Sequence, residues 1–401
     1  MKSRKNEPSL FRIVLFLLIL LTIVAGGYRA IDRLRHGVFR PGIENRAPDE
    51  LNKAKQLIEE NNVEEARKIL ESIVARVRHE GVLLNALMTL ARLENRVGNL
   101  DKGIVLLRRA VQEFPANPDR PRVTIELGRT LENAKRYDEA AQAFQEVANT
   151  AAPEVRAPAL VGLGRHAERA GQQVEAREWF RRASQDAPWG SPEWEEAAEV
   201  LGRVNVALVF SPELLPESKI YVVEKGDSLI SIGMKLNTTL GMLTRANNLS
   251  ESDSLRVGQR LKYTPKDFRI VIERSTCRLY LMDKDGLFKK YPVGLGMPGH
   301  ETALGSYKIG NKQKDPTWFK PGEGEIPPGD PRNELGTRWM PLIPVEEGLP
   351  TDLGIHGTIR PETVGGFHSQ GCARLLQEDV EELYDLVVRS TPVDIVEVFR
   401  P

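Results

Sequence analysis

Cys372 follows a glycine and stands two residues before an arginine, in Phe367-His368-Ser369-Gln370-Gly371-Cys372-Ala373-Arg374. Upstream, in Leu353-Gly354-Ile355-His356-Gly357-Thr358, a short apolar run ends on a histidine. A thiol and an imidazole on two nearby segments are the minimum equipment for acyl transfer through a thioester. The sixteen-residue step between them contains Pro361, Gly365 and Gly366, which lets the chain turn back and bring the two side chains together. A free thiol is only a few per cent ionised at neutral pH. His356 therefore has two tasks: to take that proton and hold the thiolate as an ion pair, and later to return a proton to the leaving amine. Gly371 permits a tight turn, so that amide N–H groups near Cys372 can face a developing oxyanion. One such donor is worth roughly 3 kcal/mol in the transition state. Arg374 offers a fork of donors either to a substrate carboxylate or to a structural partner inside the domain. Ser369 either closes the turn or hydrogen-bonds within the site.

The composition excludes several classes. The chain has 401 residues, enough for about two to four domains, with 56 basic and 56 acidic side chains and a formal charge of 0. That balance argues against a nucleic-acid protein. Two cysteines make no disulfide framework. Cys277 lies in an alternating segment and reads as a small apolar core residue. No metal-ligand spacing and no phosphate-cradling glycine loop occurs, so neither metal nor cofactor is expected. His300 and His368 read as loop histidines. Residues 1–12 carry Lys2, Arg4 and Lys5, and residues 13–28 are free of charge. This pattern reads as a membrane-spanning signal anchor or a cleaved signal peptide, the anchor being favoured, and either places the rest of the chain outside the cytoplasmic membrane.

The elements that must position the thiol come last in the chain. Residues 48–203 are helical, and a turn followed by an acidic and a small residue recurs at Ala66, Gly103, Ala140 and Ala176, at intervals of 37, 37 and 36 residues. The array resembles tetratricopeptide repeats, which implies a scaffold with a protein partner. Residues 203–220 read as a linker holding one strand, Val204 to Phe210. Residues 220–265 read as strand, helix, helix, strand, the return strand running from Leu255 to Leu261, and Asp227 or Ser228 capping the first helix. Residues 268–399 are rich in short strands with glycine and proline turns, a sandwich or barrel pattern with one helix from Glu378 to Arg389. Within them, 311–335 reads as a long loop of the kind that is functional or disordered.

Two further resemblances carry function. Residues 220–265 resemble the LysM module over its full length. That implies binding to N-acetylglucosamine-containing glycans such as peptidoglycan, in a groove between Gly226-Asp227-Ser228 and the loop after Asn247-Asn248. On residue type alone, Gly226, Asp227 and Asn247 equally suit turn geometry. Residues 268–399 resemble the YkuD-type L,D-transpeptidase catalytic domain. Three blocks stand in the family order: Thr302-Ala303-Leu304-Gly305-Ser306-Tyr307, then Asn333-Glu334-Leu335-Gly336-Thr337-Arg338-Trp339-Met340, then His356-Gly357 with Ser369-Gln370-Gly371-Cys372-Ala373-Arg374. Many members of that family carry a histidine where this chain has Gln370.

The resemblance implies Cys372 as nucleophile, His356 as base and the Gly357 carbonyl as its orienter, with Ser369, Gly371 and Arg374 on the substrate side. It implies attack on the bond between an L- and a D-centre of a peptidoglycan stem peptide, and a 3→3 crosslink when an amine of a second stem resolves the thioester. A lysine of an envelope protein or water could resolve it instead, the latter making an L,D-carboxypeptidase. The competing reading is a non-enzymatic wall-binding scaffold.

Overall fold

This computed structural model describes residues 46–320 and 322–400. The expected n-region (1–12) and anchor (13–28) lie outside the described residues. Among those described, no helix is long and apolar enough to cross a membrane.

The chain divides into two compact units near residue 123. The first holds two antiparallel helix pairs, α1 (Ala47–Glu59) with α2 (Val63–Arg76), and α3 (Glu80–Arg96) with α4 (Leu100–Glu113). Helix α5 (Arg120–Asn133) runs across the division. In the second unit the array continues through α6 (Tyr137–Thr150), α7 (Pro153–Arg169), α8 (Gln173–Asp186) and α9 (Pro192–Phe210). The recurring small residue is explained by packing: Ala66, Ala140 and Ala176 are fully buried, and a side chain on Gly103 would run into Asn95. The turns before them share a left-handed residue, at Asn61, Gly98, Lys135 and Gly171, which ends one helix and re-aims the chain into the next. The ring of Phe144 fills the space left by Gly128 and Gly162, where any Cβ would meet it at 2.4 Å.

The expected strand at Val204 to Phe210 is instead the last part of α9. Its β-branched and apolar run suits a strand, but all of it except the exposed Ala207 is buried in a helix packed against two cores. Val206, Val209 and Phe210 join the core of the following β-rich domain, while Val204 and Leu208 pack with Leu215. Asn205 Nδ2 donates to the Phe288 carbonyl at 2.9 Å.

Next come β1 (Lys219–Val222), α10 (Leu229–Leu236), α11 (Leu240–Arg245) and β2 (Arg260–Tyr263), the expected βααβ order around Leu229, Ile232, Leu243 and Leu261. The return strand starts later than read, because Gly258 turns the chain first. Ser228 caps α10 and forms a reciprocal box with Ser231.

The β-rich domain then follows: β3 (Arg269–Glu273), β4 (Arg278–Asp283), β5 (Gly286–Pro292), β6 (Leu295–Gly296), β7 (Gly305–Ile309), β8 (Gln313–Lys314), β9 (Trp318–Lys320), β10 (Gly324–Ile326), β11 (Arg338–Pro344), β12 (Gly354–His356), β13 (Phe367–Ser369), β14 (Ala373–Arg374), helix α12 (Gln377–Leu386) and β15 (Pro392–Val396). Nine strands form one mixed sheet in the order β14-β12-β11-β7-β15-β3-β4-β5, with β8 also on β11. The segment 311–335 is no structureless loop, since it holds β8 and the β9–β10 hairpin. Cys277 is buried as expected, but it sits at the β3–β4 turn with φ 50° rather than in a strand.

The βααβ module is docked on α12. Thr239 caps α11 and donates to the Asp385 carbonyl, Arg245 pairs with the Asp385 carboxylate at 3.4 Å, and Met242 enters the main core. Lys262 reaches the other way, donating to the Leu208 and Ser211 carbonyls at the end of α9. A Cβ on Gly241 would lie 2.3 Å from Asp385 Cγ. Gly241→Leu should therefore lift the module from α12 without melting it. Hydrogen exchange should become at least about tenfold faster at residues 239–246 and 377–386, with Ile232 in the module's own core unchanged.

Candidate active site

Strands β12 and β14 pair in parallel, with Ile355 opposite Ala373 and His356 opposite Arg374. One step back along the same register, Cys372 lies beside Gly354. Side chains two residues apart on a strand share a face, so Cys372, Arg374 and His356 are brought to one side of the sheet. Ile355 faces the other side, with Val380 and Leu383 of α12 in the core. The Trp339 ring on β11 lies 5.7 Å from the imidazole, and it covers Gly354 so closely that a Cβ there would strike it.

His356 is buried, only 4% exposed. Its Nδ1 lies 2.6 Å from the Gly357 carbonyl oxygen. A carbonyl only accepts, so Nδ1 carries the proton and Nε2 is left as the basic nitrogen. Gly357 itself is held by its neighbours: a side chain there would meet Gln377 Oε1 at 2.8 Å and Val380. Gln377 also donates to Thr337 and Glu381, tying the 334–337 segment to the start of α12. Burial, reinforced by the charge of Arg374, lowers the imidazole to about 4, against the opposing pull of the Gly357 and Glu334 backbone.

Cys372 is half-buried, with Sγ 3.8 Å from the Asp352 carbonyl. Burial pushes the thiol above its ordinary range, and the Gly354 backbone N–H only partly offsets this. Both shifts favour a neutral thiol and a neutral imidazole over an ion pair. The physical reason is the shared low-polarity setting, which penalises both charges, together with the Arg374 cation, which disfavours imidazolium.

The other candidate residues divide between substrate side and scaffold. Gly371 holds φ 120°, a conformation that suits glycine, and its carbonyl accepts from the buried Thr302 hydroxyl at 2.8 Å. Ser369 is buried; its hydroxyl donates to the Cys372 carbonyl at 2.7 Å and accepts from the Gly371 N–H at 3.2 Å. These contacts suit turn closure, one of the two roles read for Ser369, and they engage the Gly371 N–H. Arg374 is buried beside His356. Nη2 donates to Glu334 at 3.1 Å, while Nε and Nη1 have no partner. Gln370, His368 and His300 are exposed. Thr302 and Glu334 belong to the site and had no role assigned from sequence; their only signal was membership of the ordered blocks.

In the βααβ module, Asp227 accepts from the Tyr221 hydroxyl and the Glu224 N–H, and Ser228 caps α10. The Asn247 amide donates to the Leu243 and Lys262 carbonyls and its oxygen accepts from the Lys262 N–H. These three side chains, read as glycan contacts, serve the module's own turns. Gly226 and Asn248 remain exposed, both with positive φ. Among the described residues no group of acidic, histidine or cysteine side chains could hold a metal ion.

The neutral pair has a measurable signature. Iodoacetamide alkylation of Cys372, followed by mass, should be slower at pH 7 than that of free cysteine. It should climb with a midpoint above the ordinary thiol range, because the folded site raises the pKa. An ion pair would give a plateau from about pH 5 upward instead.

Comparison with known proteins identifies the domains. Residues 267–395 match the family model of the L,D-transpeptidase catalytic domain, 221–264 that of the LysM domain, and 88–155 that of a tetratricopeptide repeat. Among curated proteins, "Putative L,D-transpeptidase YkuD" of Bacillus subtilis is 30% identical over 183 residues, which cover 44% of this chain and 97% of that protein. Its counterpart of the same name from Bacillus licheniformis is 29% identical over 181 residues, 44% of this chain and 97% of that one. Among solved structures, an L,D-transpeptidase from Mycobacterium smegmatis matches at 14% identity and TM-score 0.27, over 35% of this chain and 64% of that one. The chain thus spans just under two thirds of that structure's length, and a likeness of this size adds nothing to the sequence match. With nearly the whole Bacillus subtilis protein aligned, the chain belongs to the L,D-transpeptidase family of YkuD type.

Proposed function

We propose that this protein is a cysteine-dependent peptidoglycan L,D-transpeptidase that makes 3→3 crosslinks outside the cytoplasmic membrane. The observation that carries the reading is the Nδ1 contact of His356 with the Gly357 carbonyl at 2.6 Å, which leaves Nε2 as a base on the face that bears Cys372. A glycan-binding module and a stem-peptide enzyme act on the same polymer, which supports both the substrate and the location.

In the acylation step Nε2 takes the thiol proton as Sγ adds to the carbonyl carbon of the L-centre. The tetrahedral intermediate collapses, the bond to the D-amino acid breaks, and the imidazolium delivers its proton to the departing amine. In the second step an amine of another stem attacks the thioester, Nε2 takes its proton, and that proton returns to Sγ as the thiolate leaves. Because the imidazole is lowered to about 4, it stays neutral, and so competent as a base, through the whole neutral range. Arg374, with two unpartnered nitrogens, is the candidate for a substrate carboxylate. Gly226 and Asn248 offer exposed backbone to the glycan, and the tetratricopeptide array a surface for a protein partner.

Water as acceptor would make the same acyl-enzyme a carboxypeptidase, and a lysine acceptor would attach a protein. The scaffold reading predicts no acyl-enzyme at all. Intact-mass measurement after carbapenem treatment should show one adduct, absent from Cys372→Ala. His356→Ala should slow its formation by about 10²–10⁴-fold. Digested sacculi incubated with the enzyme should gain 3→3 dimers. An unmodified wild-type protein that still pulls down sacculi would leave the scaffold reading standing in place of the enzyme.

A further inference from the structure

Arg374 is buried yet short of acceptors. Its side chain is 9% exposed, and only Nη2 of its three nitrogens has a partner. A buried guanidinium in that condition is costly, and such groups call for an explanation. The partner it does have is shared: Glu334 Oε2 accepts from Arg374 at 3.1 Å and from Arg360 Nη2 at 2.6 Å, the shorter bond going to the outer arginine. Exposure rises outward along the three, to 27% at Glu334 and 46% at Arg360. Glu334 thus has two seats, a long one inside the site and a short one at its rim.

Resting on the reaction proposed above, we infer that Glu334 is a specificity-determining residue: its carboxylate holds Arg374 in the resting site and gives up that seat to the C-terminal carboxylate of the departing D-amino acid by moving wholly onto Arg360. The register decides which substrate carboxylate is meant. Arg374 lies opposite His356, the group that hands a proton to the leaving amine, so the leaving residue's own carboxylate is the one brought to it. Entry of that carboxylate exchanges one anion for another on Arg374 and balances the second arginine, which Glu334 then holds alone. A donor amidated at that terminus brings no charge with which to displace Glu334. After the thioester forms, the D-amino acid takes its carboxylate away and Glu334 returns, closing the seat behind it.

The test uses the full chain with a stem tetrapeptide ending in D-alanine, as the free acid and as the terminal amide. Wild type should prefer the acid. Glu334→Gln should lower KM for the acid about fivefold or more, change KM for the amide far less, and strengthen inhibition by free D-alanine. Arg360→Ala should raise KM for the acid only, and that effect should vanish in the Glu334→Gln background. Equal use of both donors by wild type, or a KM raised alike for both by Glu334→Gln, would overturn the inference. Calorimetric binding of free D-alanine to Cys372→Ala reads the exchange without turnover. Tighter binding on adding Glu334→Gln supports it and unchanged or weaker binding refutes it, whatever becomes of the transpeptidase reading.

Discussion

A single hydrogen bond, from His356 Nδ1 to the carbonyl of the next residue, decides what the site can do. It assigns the proton to one nitrogen and the lone pair to the other, and the strand register puts the imidazole on the face that bears Cys372. Everything near it holds that bond in place. Gly357 has no side chain because Gln377 and Val380 occupy the space, and α12 is fixed by its own burial and by the Gln377–Thr337–Glu381 contacts. Lys312 donates to the Tyr384 and Val387 carbonyls at the far end of the same helix, satisfying groups a helix terminus otherwise leaves bare.

The electrostatics follow from the same packing. Thiol and imidazole share a setting that disfavours charge, and Arg374 tips the imidazole further toward neutrality. In the reaction proposed above, proton transfer is thereby deferred until a carbonyl carbon is present to receive the sulfur's electrons. A resting thiolate would be open to oxidation and to stray electrophiles, whereas a neutral, half-buried thiol is far less so.

Much of this was legible in the sequence. Cys372 and His356 stand out by residue type and order, Gly357 by the family resemblance, and the four small residues of the helical repeat by their spacing. Less legible was whatever depends on a partner distant in the chain. Ser369 has a hydroxyl that suits a ligand or a turn, and only the placement of the Cys372 carbonyl and the Gly371 amide decides for the turn. Glu334 lies forty residues from Arg374, and no local pattern signals their pairing. Val204 to Phe210 has the composition of a strand because all but Ala207 is buried, and a helix between two cores is buried in a similar way. Asn247 looked like a polar loop residue, yet it stitches α11 to β2.

The seating of the LysM module on α12 has a kinetic meaning. Two modules on a loose tether raise each other's local concentration through polymer statistics, averaged over every span the tether can reach. Here the connection from α9 to β1 is short, and Thr239, Arg245 and Lys262 fasten the module to its neighbours. On the function proposed above, anchoring on a glycan fixes where along that strand the thiol can operate, instead of merely keeping it nearby. The substrate choice of the molecule becomes partly a matter of distance, set by the fold and not by any single pocket.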